Sequence, residues 1–136
     1  MFKVSKQTHF DAAHRLPKHG GKCRNLHGHR WVVTFHARAD ELNDQGMVRD
    51  FGAFRVLQNR IDREFDHSLL IGPGDEELGK VAVDLATKVV FLTTDSTAEN
   101  LAAMFYNMAF DEGIPVSRVD VEESPGSMAS YGHTDL

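Results

Sequence analysis

The stretch Cys23-Arg24-Asn25-Leu26-His27-Gly28-His29-Arg30-Trp31-Val32-Val33-Thr34-Phe35-His36-Ala37-Arg38-Ala39 changes character at His27. From there the odd positions read His27, His29, Trp31, Val33, Phe35, Ala37 and Ala39, while the even ones include Arg30, Thr34, His36 and Arg38. Such alternation is that of a long amphipathic strand, and it puts both imidazoles on the apolar face while Gly28 looks the other way. Two histidines at i, i+2 on one face can hold one metal ion. Zinc takes three or four ligands, so the pair is incomplete and the chain must supply another. The structural alternative is a pair of core histidines bonded to backbone carbonyls. Cys23, the single cysteine, cannot form an internal disulfide and is a buried filler, a metal ligand or a reactive thiol.

Upstream, residues 2–10 alternate as well, with Phe2, Val4, Thr8 and Phe10 on one side and Lys3, Ser5, Gln7 and His9 on the other. This half-buried strand leads into Asp11-Ala12-Ala13-His14, and Pro17 with Gly20-Gly21 then forbids regular structure up to Cys23. An antiparallel neighbour starting near His27 would bring His14 to the histidine pair, and His14 is the expected third ligand. His9, His19, His36 and His133 have no comparable setting and read as surface histidines.

The 136 residues are the length of one ordinary domain, expected to span 1–136, and 41% hydrophobic with 26% charged residues is a globular composition. No apolar run approaches the roughly 20 residues of a membrane span, and the N-terminus lacks the apolar core of a signal peptide, so a cytoplasmic protein is expected. The net charge of −5 argues against general nucleic-acid affinity, and no basic stripe is interleaved with exposed aromatics. Yet the window from Ala12 to Arg38 has no acidic residue and holds Arg15, Lys18, Lys22, Arg24, Arg30 and Arg38. A positive field beside a candidate metal site suits an anionic small substrate such as a phosphate ester, and a solvated basic loop is the plainer reading.

Downstream, Asp50 is a plausible N-cap for a helix over 51–65, where Phe51, Phe54, Leu57, Ile61 and Phe65 recur at helical spacing. Asp66-His67 follows, a carboxylate beside an imidazole that could cooperate only across a bend, because neighbours on regular structure point apart. Residues 75–86 suggest a short helix and 88–92 a buried extended piece. Ser96-Thr97-Ala98-Glu99 has the spacing of a capping box opening a second long helix with Leu101, Met104, Phe105 and Met108 on its apolar face, stopped by Gly113 and Pro115. A last pair of strands contains Val119, Val121 and Glu123 on one face, then turns at Pro125-Gly126 and returns over 127–133. Glu123 shares its face with two valines, an expensive position without a donor-rich partner. The order predicts an α+β domain, a four-stranded antiparallel sheet with two helices on one face (ββααββ), whose open edges pairing between subunits would hide.

Taken in order, Phe10 to His14, Cys23-x-x-x-His27-Gly28-His29, Gly46 to Phe51, Asp66-His67, Thr97 to Ala102 and Val119 to Ser124 resemble the 6-pyruvoyl-tetrahydropterin synthase / 6-carboxy-tetrahydropterin synthase family, most closely its queuosine-pathway branch. The resemblance covers nearly the whole chain. It implies a T-fold (tunnelling fold) subunit joined to others in an oligomeric barrel, a homo-hexamer built from two trimers. It implies a Zn2+ ion on His14, His27 and His29, with Cys23 as general base, Asp66 and His67 as the dyad for a second proton, and Glu123 as the anchor of a pterin ring. Thr97 and Glu99 would line the pterin pocket. The implied enzyme is a carbon–carbon lyase that converts 7,8-dihydroneopterin triphosphate to 6-carboxy-5,6,7,8-tetrahydropterin, acetaldehyde and triphosphate in 7-deazaguanine synthesis. The alternatives are a 6-pyruvoyl synthase that eliminates triphosphate only, and a non-catalytic zinc- or pterin-binding T-fold protein. The chain departs from the family pattern at Ser96, where proline is usual, at Ser124, where threonine is usual, and at Ile71, where asparagine is usual.

Overall fold

In the computed structural model, which describes residues 1–132, the two segments around the histidines form the longest strands. Strand β1 (Phe2–His14) and strand β2 (His27–Ala39) pair antiparallel without a break, from Phe2 opposite Ala39 to His14 opposite His27. Their shared inner face carries Phe10, Ala12 and His14 from one strand and Trp31, Val33, Phe35 and Ala37 from the other, all buried. Phe10 lies opposite Trp31 with the rings stacked at 6.1 Å. Alternation of period two fixes this register, since a slip of one residue would turn every apolar side chain to the other face.

A turn over Phe51–Phe54, held by the Asp50 carboxylate accepting from the Gly52 N–H at 2.7 Å, leads into helix α1 (Arg55–Glu64). The apolar stripe read over 51–65 therefore splits. Phe54, Leu57, Ile61 and Phe65 are buried, while Phe51 lies exposed in the opening turn. Strand β3 (Ser68–Ile71) then runs parallel beside β1, helix α2 (Glu76–Leu85) crosses over, and strand β4 (Val89–Phe91) adds to the edge parallel to β3. Helix α3 (Ala98–Asp111) packs on the inner face, and strands β5 (Arg118–Ser124) and β6 (Ser127–Gly132) complete the sheet in the order β4-β3-β1-β2-β5-β6. His133, read as a surface histidine at the end of the last strand, lies outside the described residues.

The sheet is thus mixed and six-stranded, where four antiparallel strands were expected. The four antiparallel strands are present as β1, β2, β5 and β6; the addition is the β3-α2-β4 crossover. Its strands have four and three residues, too few to display alternation, and β3 is buried on both faces, Ser68 included, so no exposed position marks its period. Leu70 joins the main core with α1 and α3, whereas Leu69 and Ile71 pack with Leu78 and Ala82 of α2. Helices α1 and α3 therefore share the inner face, and α2 covers the outer face at the β3 end. Among the described residues no helix is long and apolar enough to cross a membrane.

Helix α2 ends at Ala86 in the left-handed conformation, φ 51, a position where a Cβ is unfavourable and glycine is the usual residue. Replacing Ala86 by glycine is expected to stabilise the protein by about 1 kcal/mol, read as a higher urea midpoint with an unchanged slope.

Candidate metal centre

The β1–β2 register builds the site. His14 and His27 face each other directly at the strand ends, and His29 stands opposite Ala12, whose small side chain leaves room for the third ring. The ring centroids of His14 lie 4.7 Å from His27 and 5.3 Å from His29, and those of His27 and His29 are 4.8 Å apart. Trp31 packs edge-on against His14 and His29 at 4.9 and 5.3 Å.

The unsatisfied atoms converge. The Nε2 atoms of His14, His27 and His29 are all buried without a hydrogen-bond partner, and one ligand atom from each residue can be chosen with all three within 4.8 Å of one another. His14 Nδ1 lies 2.9 Å from the Ser96 carbonyl oxygen, and His27 Nδ1 lies 2.7 Å from that of Asn25. A carbonyl can only accept, so in both rings Nδ1 carries the proton and Nε2 presents a lone pair. Each orphaned buried polar atom costs roughly 1–3 kcal/mol; three of them aimed together fit a metal ion.

Burial, reinforced by the field of His27, lowers the His14 pKa to about 4 despite its Ser96 bond. His29 is lowered by burial too, against the Glu123 carboxylate, with His27 again adding. Both rings are therefore neutral at pH 7, the form that ligates.

Cys23 sits half-buried in a single turn, Lys22–Arg24, whose place is fixed by the Leu16 N–H donating to the Cys23 carbonyl at 2.9 Å. Its sulfur is not part of the histidine ligand cluster. Glu123 is the residue at which the β5–β6 ladder slips: Glu122 pairs Met128 and Ser124 pairs Ser127. Such a bulge re-aims the side chain at that point, and Glu123 Oε1 lies 3.4 Å from His29 Nε2, close but not aligned as a hydrogen bond. Glu123 and Glu99 line one open cavity of about 600 Å³ between the start of α3 and the β5–β6 turn. Thr97, not Ser96, caps α3, its hydroxyl accepting from the Asn100 N–H at 3.2 Å. The capping-box reading was one residue early because the hydroxyl of Ser96 is turned to His14 Nδ1, 3.0 Å away, a role with no local sequence signal.

Asp66 and His67 do meet. His67 has φ 58, and this left-handed step supplies the bend that lets its Nδ1 donate to the Asp66 carboxylate at 2.8 Å. The other Asp66 oxygen accepts the Asp11 N–H at 2.8 Å, and this bond above all, with that from His67, holds the carboxyl below its usual range. Asp11, bound by both oxygens to Arg30, belongs to the outer face. Although Asp11, Asp66 and His67 cluster as three possible ligands, the two carboxylates are already committed, that of Asp11 to Arg30 and that of Asp66 to the Asp11 N–H and His67 Nδ1. The dyad is thus built on the face turned away from the His14 ring. Of the basic window, Arg15 is bound by both oxygens of Asp75 and Arg30 by Asp11, so neither is a free cation. His36 is not a simple surface residue: its Nε2 donates to Asp120 at 2.7 Å, and Asp120 also accepts from Ser130 and Arg118.

A mixed sheet backed by two helices on one face, carrying three convergent imidazoles on that face, defines an α+β protein of T-fold type with a candidate histidine metal site. The sequence profile described as 6-pyruvoyl tetrahydropterin synthase matches residues 3–134. The chain is 40% identical over 112 residues to 6-carboxy-5,6,7,8-tetrahydropterin synthase of Rickettsia bellii, covering 81% of each chain. It is 35% identical over 132 residues to that of Rickettsia felis, covering 92% of this chain and 96% of the relative. In fold it is similar to 6-pyruvoyl tetrahydropterin synthase of Caenorhabditis elegans, with a TM-score of 0.71 at 23% identity over 98% of this chain and 96% of the other. The chain belongs to the 6-pyruvoyl tetrahydropterin synthase family.

The depressed His14 pKa makes the metal-free protein acid-sensitive. Between pH 6.5, where the unfolded ring takes up its proton, and about 4, where the folded one does, the unfolded state binds more protons and stability falls with falling pH. The expected loss is about 3 kcal/mol across that window, measured as urea midpoints of chelator-treated protein. A midpoint unchanged between pH 7 and 5 would contradict it.

Proposed function

We propose that the chain is a 6-carboxy-5,6,7,8-tetrahydropterin synthase that uses zinc to convert 7,8-dihydroneopterin triphosphate and one water to 6-carboxy-tetrahydropterin, acetaldehyde and triphosphate. The observation that carries the reading is the convergence of three orphaned, buried Nε2 atoms in a chain whose relatives bear that enzyme name. His14, His27 and His29 would hold the ion; three imidazoles with a position left open are the donor set of a catalytic zinc. When bound, zinc supplies Lewis-acid polarisation that lowers the pKa of substrate side-chain hydroxyls.

The chain's own groups do the rest. Cys23, outside the ligand set, takes a proton from the substrate side chain as the general base. Glu123, re-aimed by the bulge, accepts the ring N–H donors of the pterin, which gives this half-buried carboxylate the partner it needs. Glu99 lines the same cavity, and Thr97 orients it through the helix cap. Asp66 holds His67 with the proton on Nδ1, leaving Nε2 to carry the second proton. Because the dyad lies on the outer face, it serves a site completed by a neighbouring subunit. The edge strands β4 and β6 are the surfaces such an assembly would pair, in a homo-hexamer of two trimers. Among the basic residues, Lys18, Lys22 and Arg24 of the loop beside Cys23 are the groups that would meet the triphosphate. A cytoplasmic location and a free thiol at Cys23 agree.

The assay is incubation of zinc-loaded protein with dihydroneopterin triphosphate. Acetaldehyde and triphosphate are expected in equal amounts; triphosphate alone would assign the 6-pyruvoyl reaction, and neither product a binding protein. Cys23→Ala is expected to lose at least about 100-fold in turnover with zinc content unchanged, whereas His14→Ala loses the metal. Co-expression of Cys23→Ala with His67→Ala subunits should restore part of the activity that each lacks alone, the signature of a site shared between subunits. No recovery in the mixed oligomers would place the dyad at its own subunit's site.

A further inference from the structure

Ser96, the residue ahead of the α3 cap, offers two oxygens to one imidazole nitrogen. It is buried, with its carbonyl oxygen 2.9 Å and its hydroxyl oxygen 3.0 Å from His14 Nδ1. Thr97 caps the helix, so the Ser96 hydroxyl is not needed there. Nδ1 has a single proton and the carbonyl can only accept. The ring is therefore held with that proton shared between the two oxygens, a three-centre bond. When Nε2 gives its lone pair to a cation, positive charge spreads over the ring and Nδ1–H becomes a stronger donor. Each acceptor then stabilises the ligated state more than the free one. Proline at this position would keep the carbonyl and lack the hydroxyl.

We propose that Ser96 is a positioning residue of the metal centre: carbonyl and hydroxyl together fix His14 as the Nδ1–H tautomer with Nε2 aimed into the cluster, and the hydroxyl tightens metal binding. The inference rests on the three-histidine reading above. It also ties two parts of the site to one segment of backbone. Ala98 and Glu99, two and three residues on, form a wall of the cavity that Glu123 lines, so a shift of the α3 start would disturb the metal ligand and the cavity together.

The single tryptophan packs against His14 and His29, so Trp31 emission reports occupancy directly. Zinc affinity is measured by competition with a chromophoric chelator and by Trp31 emission for the wild type, Ser96→Ala and Ser96→Thr. Ser96→Ala is expected to bind zinc about tenfold more weakly, with an unchanged circular-dichroism spectrum, and Ser96→Thr, which keeps the oxygen, within about threefold of the wild type. Equal affinity of Ser96→Ala and a zinc-binding wild type would overturn the proposal. A wild type that binds no zinc would instead remove the three-histidine reading beneath it. Should Ser96→Ala fail to fold, the long-range proton–nitrogen NMR spectrum of the metal-free wild type decides: a His14 proton on Nδ1 supports the clamp, and one on Nε2 overturns it.

Discussion

The unbroken antiparallel register of β1 against β2 is the constraint on which the rest of the molecule depends. It sets His14 opposite His27, Ala12 opposite His29 and Phe10 opposite Trp31. A shift by one residue would put His14 on the opposite face from His27 and His29, and a shift by two would pull His14 away from His27. The stacked Phe10–Trp31 pair locks this alignment where the site begins. Phe10 also meets Phe65 and Phe105 at 5.8 Å, so the ring that fixes the register is part of the contact with the inner-face helices. Burying these aromatics is worth roughly 1.5–3 kcal/mol each, which offsets the cost of desolvating imidazoles beside them.

Around that rigid pair, the more irregular parts of the chain supply chemistry. The loop between β1 and β2 brings Cys23 beside the strand ends, the bulge in β5 re-aims Glu123, and the segment before α3 reaches His14 through Ser96. The division follows from precision. The imidazoles that converge on one point sit on paired strands, where ladder hydrogen bonds fix their spacing, whereas the groups proposed to meet a substrate sit where the backbone departs from the ladder.

The sheet also acts as a partition. His14, His29 and the helices α1 and α3 lie on one side; Asp11, Arg30 and the cluster that orients Asp66 and His67 lie on the other. In the proposed reaction the metal cluster and the Asp66–His67 dyad thus lie on opposite faces of a single layer, so that each face carries part of a site. Pairing through the open edges, as in the proposed oligomer, would bring them together and would cover the edge hydrogen-bonding groups in the same step.

Local pattern was sufficient for the long elements and for the convergence of the three imidazoles. Period-two alternation over β1 and β2 placed His27 and His29 on the core face, and His14 at the end of the preceding strand followed from the same alternation and the Pro17 and Gly20-Gly21 break. The helical spacing of Leu57 with Ile61 and of Leu101 with Phe105 marked α1 and α3. The short β3 was illegible as a strand, because an element of four residues buried throughout carries no period; β4 falls within the extended piece read over 88–92, but it is half-buried to exposed, with Phe91 turned to solvent, because it forms the sheet edge. Only the tertiary structure decided which hydroxyl caps α3 and which meets His14, and that His36 donates to Asp120. It alone decided that Arg15 and Arg30 are consumed by Asp75 and Asp11, and that the Asp66–His67 dyad faces away from the His14 ring. The physical reason is common to all of these. Periodicity is a property of neighbours along the chain, whereas hydrogen bonds between residues 19 to 84 positions apart depend on which face of the sheet each strand presents to the others.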